Sequence, residues 1–192
     1  FFYQPELLKD DFFSVFLPFS FKNGFQFTGF RGLASHGAAI GIITAMYFYS
    51  KKVLKKPILW ILDRIVIAVA SGAVFVRIGN FINSEIIGTA TNSDFGVVFT
   101  QLGEDFPRHP AQLYESFCYV FVFAILYYLY WKTDKRNQMG YLLGTFLVLL
   151  WTVRFFVEFV KEAQVDNRAE WILNTGQWLS IPFILMGIYL MS

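Results

Sequence analysis

Cysteine is almost missing from this chain. Cys118 stands alone among 192 residues, which excludes an intramolecular disulfide and any multi-cysteine metal cluster. Charge is scarce too. Asp, Glu, Lys and Arg make up 16% of residues, against about 25% in an ordinary soluble domain. The net charge of +2 is small and says little alone; no nucleic-acid partner is expected. No metal-ligand spacing, phosphate-cradling glycine loop or Ser/His/Asp arrangement stands out, so neither a metal nor a cofactor is expected. A secretory leader is also missing from the pattern: residues 1–30 carry aromatics, but no basic stretch ahead of a clean apolar core. The chain opens on Phe1 rather than methionine, and we expect that the natural N-terminus lies upstream.

What is present is grease. Hydrophobic residues make up 56% of the chain and aromatics 20%. They fall in runs long enough to cross hydrocarbon, which needs ~20 apolar residues per helix. The expected fold is all-α, a polytopic transmembrane helical bundle forming one domain over residues 1–192, with spans near 33–49, 58–76, 111–131, 140–160 and 176–191. Residues 1–30, broken by Pro5, Pro18, Gly24 and Gly29, read as an aromatic segment at the headgroup level. The first span is rich in small residues, among them Gly37, Ala38, Ala39 and Gly41, which permit close approach to its backbone. Pro110 suits the first turn of the third span, where a missing N–H costs nothing.

Lysine and arginine set the orientation. Lys51, Lys52, Lys55 and Lys56 form one basic loop, and Lys132, Lys135 and Arg136 another. The positive-inside rule makes both cytoplasmic. The loops after the second and fourth spans mix acids and bases and are expected to face outward. His36 then sits at the outer end of the first span and Arg77, Asn80 and Glu85 at that of the second. His109, Gln112, Tyr114 and Glu115 do the same for the third, and Arg154 and Glu158 for the fourth. One outward-facing polar chamber is the simplest reading.

Arginine inside a span needs an anionic partner. Arg154 and Glu158 stand four apart and can pair on one helix face, as a structural pin or as part of a site. A second arginine at the same depth, Arg77, shifts the balance. Two guanidinium groups from different helices can fork onto a phosphate, and the phosphates at that depth belong to phospholipid headgroups. Gly79 gives clearance, and Asn80 can offer amide donors to a glycerol or phosphate oxygen. Asn83 reads as helix termination. For His36, in SHGAAIG, a packed hydrogen-bonding role and a proton-handling role both stay open. His109 reads as structural, Asp63 as a helix-start residue or a partner of Arg64, and Cys118 as a small buried apolar residue.

Four stretches occur in order: SHGAAIG at Ser35–Gly41, RIGNFINSEIIG at Arg77–Gly88, RHPAQLYES at Arg108–Ser116 and RFFVEFVKE at Arg154–Glu162. Together they resemble the prolipoprotein diacylglyceryl transferases, the bacterial enzymes that begin lipoprotein maturation. The resemblance implies transfer of diacylglyceryl from phosphatidylglycerol to the lipobox cysteine thiol of a prolipoprotein, with a thioether formed and glycerol phosphate released. It implies a multi-pass protein of the bacterial inner membrane with its site toward the periplasmic side. Arg77 and Arg154 would hold the phosphate, and His36 would be the candidate base. Asn80, Glu85, Gly88, Glu158 and Tyr114 would bind or orient substrate. Three positions depart from the family pattern: Ala38 where HGG is common, Ser84 where NGE is common, and Lys161 where arginine often stands. Lysine keeps the charge there but loses the fork. The family also commonly has two further spans ahead of this point. A transporter or channel, and an inactive phospholipid-binding scaffold, are the competing expectations. A transporter would carry polar residues through the full depth, whereas here they gather at one end.

Overall fold

A carboxylate in the apolar run that begins at Ile58 explains how the bundle is tied together. The structure, a computed structural model, describes residues 19–20, 26–27, 35–162 and 173–192. The chain divides into two compact units, residues 1–58 and 59–192. In the first unit, α1 spans Ser35–Tyr49 and continues into a wider turn over Ser50–Leu54. The helix stops where Lys55 turns left-handed, and it cannot resume at Lys56, because the residue before proline is pushed out of the helical region. The Ser50 hydroxyl donates to the Lys56 carbonyl and closes this end. Lys51 and Lys52 lie over the rings of Tyr47 and Phe48, amphipathic stems on aromatic faces as at a membrane interface. The aromatic segment expected over residues 1–30 lies outside the described residues, save the short strand pair β1 (Phe19–Ser20) and β2 (Gln26–Phe27).

The second unit holds α2 (Ile58–Ile82), α3 (Ala111–Lys132), α4 (Tyr141–Val157) and α5 (Thr175–Met191). Among the described residues three helical stretches are long and apolar enough to cross a membrane: Ile58–Ile82, Ala111–Lys132 and Tyr141–Val160, the last including a 3-10 turn after α4. The fold is thus all-α, with membrane-spanning helices. Large apolar side chains such as Phe75, Phe117, Phe121, Phe156, Leu185 and Tyr189 are exposed. A soluble monomer does not carry so much exposed grease, whereas hydrocarbon tails cover it at no penalty.

Val66 and Ala70 of α2, Tyr119, Val122 and Leu126 of α3, and Leu142, Phe146 and Leu147 of α4 make one core. Lipid is as apolar as leucine, so packing and polar links, not water exclusion, must hold such helices. Both are present. Gly144 of α4 meets Gly187 of α5 backbone to backbone, and a Cβ on Gly144 would stand 2.6 Å from the Gly187 carbonyl. Trp151 and Phe183 stack with centroids 4.3 Å apart and an angle of 6°. Asp63, 1% exposed, reaches from α2 to take the N–H groups of Gly140 at 2.7 Å and Leu143 at 2.9 Å. It caps α4 across the bundle, where orphan donors and the helix dipole both favour a carboxylate. Its partner is therefore the start of α4. Arg64 instead donates to the Trp60 carbonyl at 2.7 Å and lies 3.5 Å above the Trp60 ring.

α2 runs six residues past the end of its apolar stretch, because polarity does not stop a helix. A left-handed residue does. Ser84 has φ +54°. Its N–H bonds the Phe81 carbonyl at 3.1 Å, and the Glu85 N–H bonds the Asn80 carbonyl at 2.8 Å. This pair of bonds is the Schellman stop, in which glycine is the usual left-handed residue. Asn83 sits exposed at that helix end, as a terminating residue. Ile86 also has positive φ, +56°, an unusual state for a β-branched residue.

Candidate active site

The Schellman stop folds the chain back on the last turns of α2, and this builds the first half of the site. Glu85 returns over Asn80, whose Nδ2 donates to Glu85 Oε2 at 2.8 Å. Arg77 Nη1 donates to Asn80 Oδ1 at 3.3 Å. Gln112, at the start of α3, donates from Nε2 to the Glu85 carbonyl at 2.6 Å and fixes the returning strand. Arg77, Asn80 and Glu85 thus form one relay.

The second half comes from α3. Its buried stripe includes Ala111, Gln112, Glu115, Ser116, Tyr119, Val122 and Leu126, the spacing of one helical face. Glu115 is fully buried. Its Oε2 lies 2.7 Å from Arg77 Nε, a contact of charge rather than an aligned hydrogen bond. Its Oε1 accepts from Lys161 Nζ at 2.8 Å. Lys161, itself buried, also stands 3.5 Å from Glu158. Breaking a buried pair typically costs about 3–5 kcal/mol, since a charge is left uncompensated; Glu115 has two cations, so either one can still compensate it.

Arg154 is placed differently. It forms no ion pair with Glu158, and its buried Nε has no hydrogen-bond partner among the described residues. Its guanidinium lies 5.3 Å from the Trp151 ring. The pairing expected four residues apart fails for a geometric reason. The α-helix ends at Val157, and Glu158–Val160 form a 3-10 turn. Three residues per turn bring Glu158 toward Lys161 instead. The Glu158 carboxyl also packs against Gly176 at the start of α5, where any side chain would collide with it. Asn174 Nδ2 donates to the Glu158 carbonyl at 3.2 Å, and Asn174 and Gln177 close a capping box there. A carboxylate at a helix N-terminus is favoured by the dipole. Tyr119, 2% exposed, stands one turn on from Glu115 along the same buried face of α3.

Backbone crossings hold these pieces together. Gly88 N–H bonds the His109 carbonyl at 3.1 Å, and Thr89 N–H bonds the Val160 carbonyl at 2.9 Å. Glu162 N–H bonds the Ile87 carbonyl at 3.2 Å. Short strands β3 (Val97–Val98) and β4 (Pro107–Arg108) pair antiparallel within the loop. A Cβ at Gly88 would collide with the His109 and Val160 carbonyls; the space at Gly88 is filled by the chain itself. At Gly79 nothing stands within 4 Å of such a Cβ. Arg108 braces the loop. Its Nε and Nη2 donate to Glu104 at 2.5 and 2.6 Å, its Nη1 lies 3.1 Å from Glu162 and donates to the Gly88 carbonyl at 3.2 Å. This fork holds the Glu104 carboxyl below its usual range and raises the Arg108 guanidinium further, the hydrogen bond to Glu104 leading both effects.

The structure therefore brings Arg77, Asn80, Glu85 and Glu158 into one network through Glu115 and Lys161, and Arg154 stands one helical turn before Glu158. Tyr114 stands apart with His109, its hydroxyl 3.3 Å from Nδ1. His36 opens α1 in the other unit, and its side chain lies outside the described residues. Tyr119 carried no sequence signal by type, in a run of Tyr, Phe and Val. Its spacing of four from Glu115 was the usable clue.

Comparison with known proteins shows the family. A family model described as prolipoprotein diacylglyceryl transferase matches residues 13–192. A phosphatidylglycerol–prolipoprotein diacylglyceryl transferase of Bacteroides fragilis is 42% identical over 192 residues, covering 99% of this chain and 69% of that protein. Relatives of the same name from Chloroherpeton thalassium and Tolumonas auensis are 45% and 44% identical, over 83% of this chain and 59% and 61% of their own lengths. The chain belongs to the prolipoprotein diacylglyceryl transferase family.

Proposed function

We propose that this protein transfers the diacylglyceryl group of phosphatidylglycerol to the cysteine thiol of a prolipoprotein lipobox. The sulfur forms a bond to the terminal glycerol carbon of the lipid while the carbon–oxygen bond to phosphate breaks. The thiol proton passes to a base, and glycerol phosphate leaves. The product is a thioether, and the nucleophile belongs to the substrate. The observation that carries this reading is the buried Nε of Arg154, which has no hydrogen-bond partner among the described residues, together with an Arg77 already held in place. A guanidinium with an unsatisfied donor and a second, prearranged arginine suit one anion, and a phosphodiester fits. Charge that gathers on the leaving phosphate is stabilised by donors fixed beforehand.

In this reading Arg77 and Arg154 hold the phosphate and His36 takes the thiol proton. Asn80 and Glu85 set Arg77 and meet the glycerol, Tyr114 lines the approach, Glu158 holds its neighbouring cation, and Gly88 keeps the loop crossing tight. The site opens toward the periplasmic face of the bacterial inner membrane, and lipid and lipobox peptide meet there. The whole protein, reconstituted with phosphatidylglycerol and a lipobox peptide, tests this. Mass spectrometry should show the peptide gaining one diacylglyceryl group, with phosphatidylcholine inert as donor. An unmodified peptide would refute the enzyme reading.

A further inference from the structure

We propose that Glu115 and Lys161 are a positioning pair that keeps Arg77 both fixed and electrostatically available to the lipid phosphate. This rests on the phosphatidylglycerol reading of the same site. Glu115 is the anchor of Arg77: it is fully buried, and its carboxylate reaches the guanidinium from the adjoining helix at 2.7 Å. An anchor of that kind has a drawback. A buried carboxylate beside Arg77 cancels the charge that should attract a phosphate, and in a low-dielectric setting the cancellation is nearly complete. Lys161 removes the drawback. Its ammonium holds the other carboxylate oxygen at 2.8 Å.

The charges then sum in favour of an anion. With Arg154, which the functional reading sets at the same phosphate, Arg77 and Lys161 make three positive charges, against two negative ones on Glu115 and Glu158. The remainder is one positive charge, which a phosphodiester anion neutralises. Glu85 is exposed and counts for less. The position of Lys161 is set by backbone as well as by charge, since it bridges to Gly88 directly after the turn that follows α4. Neither residue needs to touch the substrate. A point charge suffices for Lys161, which explains why lysine without a guanidinium fork serves here.

Steady-state transfer in vesicles of phosphatidylglycerol diluted in phosphatidylcholine separates this from a purely structural pin. Lys161→Met should raise KM for phosphatidylglycerol on the order of tenfold, with kcat changed less, as expected when one charge is lost from a buried cluster. Glu115→Gln should do the opposite: kcat falls on the order of tenfold as Arg77 loses its anchor, while KM does not rise. The double variant should recover most of the KM lost by Lys161→Met, because no carboxylate is left to quench Arg77. Lys161→Arg should keep the wild-type KM. A structural pin predicts equal losses in both constants, tracking the folded fraction, and no recovery in the double variant; that result would overturn the proposal. If Lys161→Met does not fold, a raised KM in Glu115→Gln alone overturns it equally. Wild-type protein that transfers nothing from phosphatidylglycerol removes the functional reading instead, and is told apart by that control.

Discussion

Two buried carboxylates divide this molecule between them. Asp63, near the start of α2, spends both oxygens on backbone N–H groups of Gly140 and Leu143. Glu115, in the first turns of α3, spends both on side-chain cations, Arg77 and Lys161. Their burial is almost the same, 1% and 0% exposed. Their chemistry differs. Backbone donors cannot swing away or change partner, so Asp63 is architecture. Side-chain cations can share their charge with an arriving anion, so Glu115 belongs to a site. Burial alone does not separate structure from function in a membrane bundle; the identity of the partner does.

That comparison can be broken or sharpened by substitution. The largest effect is expected from Arg77→Ala, which should lower kcat/KM for diacylglyceryl transfer by at least about a hundredfold, the scale of losing one prearranged donor. Lys161 remains to hold Glu115, so the melting temperature should change little. Asp63→Asn should do the reverse. One oxygen is replaced by an amide donor facing a backbone N–H, and unfolding should become easier by about 2 kcal/mol. Transfer per folded molecule should stay at the wild-type rate. Scanning calorimetry in detergent beside a transfer assay reads both.

A smaller and opposite effect is expected at Ser84. Its φ of +54° suits glycine, so Ser84→Gly should stabilise the protein by about 1 kcal/mol, less the weak 3.3 Å bond to Gln101. Transfer should be unchanged. The mildest effect concerns the loop brace. The folded-state Glu104 carboxyl sits below its usual value, so its contribution is fully present above the unfolded value of 4.5 and is lost as pH falls through the lower folded value. Proteolysis of the loop between α2 and α3 should therefore rise below about pH 4.5, and Glu104→Gln should show that susceptibility already at neutral pH.

Much of the fold was legible because hydrocarbon imposes long apolar runs. The helices from Ile58, Ala111, Tyr141 and Thr175 begin within two residues of where those runs begin. The site was legible in part. Arg77, Asn80 and Glu85 were readable as a polar group at one helix end, and they do form a relay. The surroundings of Arg154 were not. Helical spacing pointed to Glu158, but the chain leaves the α-helix at Val157, and one 3-10 turn redirects Glu158 to Lys161. Nor was the hub. Glu115 contacts Arg77 across 38 residues and Lys161 across 46, and no local rule connects positions that far apart. Ser84 shows the same limit on a small scale, since its left-handed backbone follows from the Schellman stop and not from residue type.

A structure of the whole protein with phosphatidylglycerol bound tests the central claim most directly. The account predicts the headgroup phosphate at about 2.7–3.0 Å from the Arg154 guanidinium, with Arg77 still held by Glu115 and turned toward the same phosphate. A phosphate seated elsewhere, with the Arg154 guanidinium untouched, would contradict it.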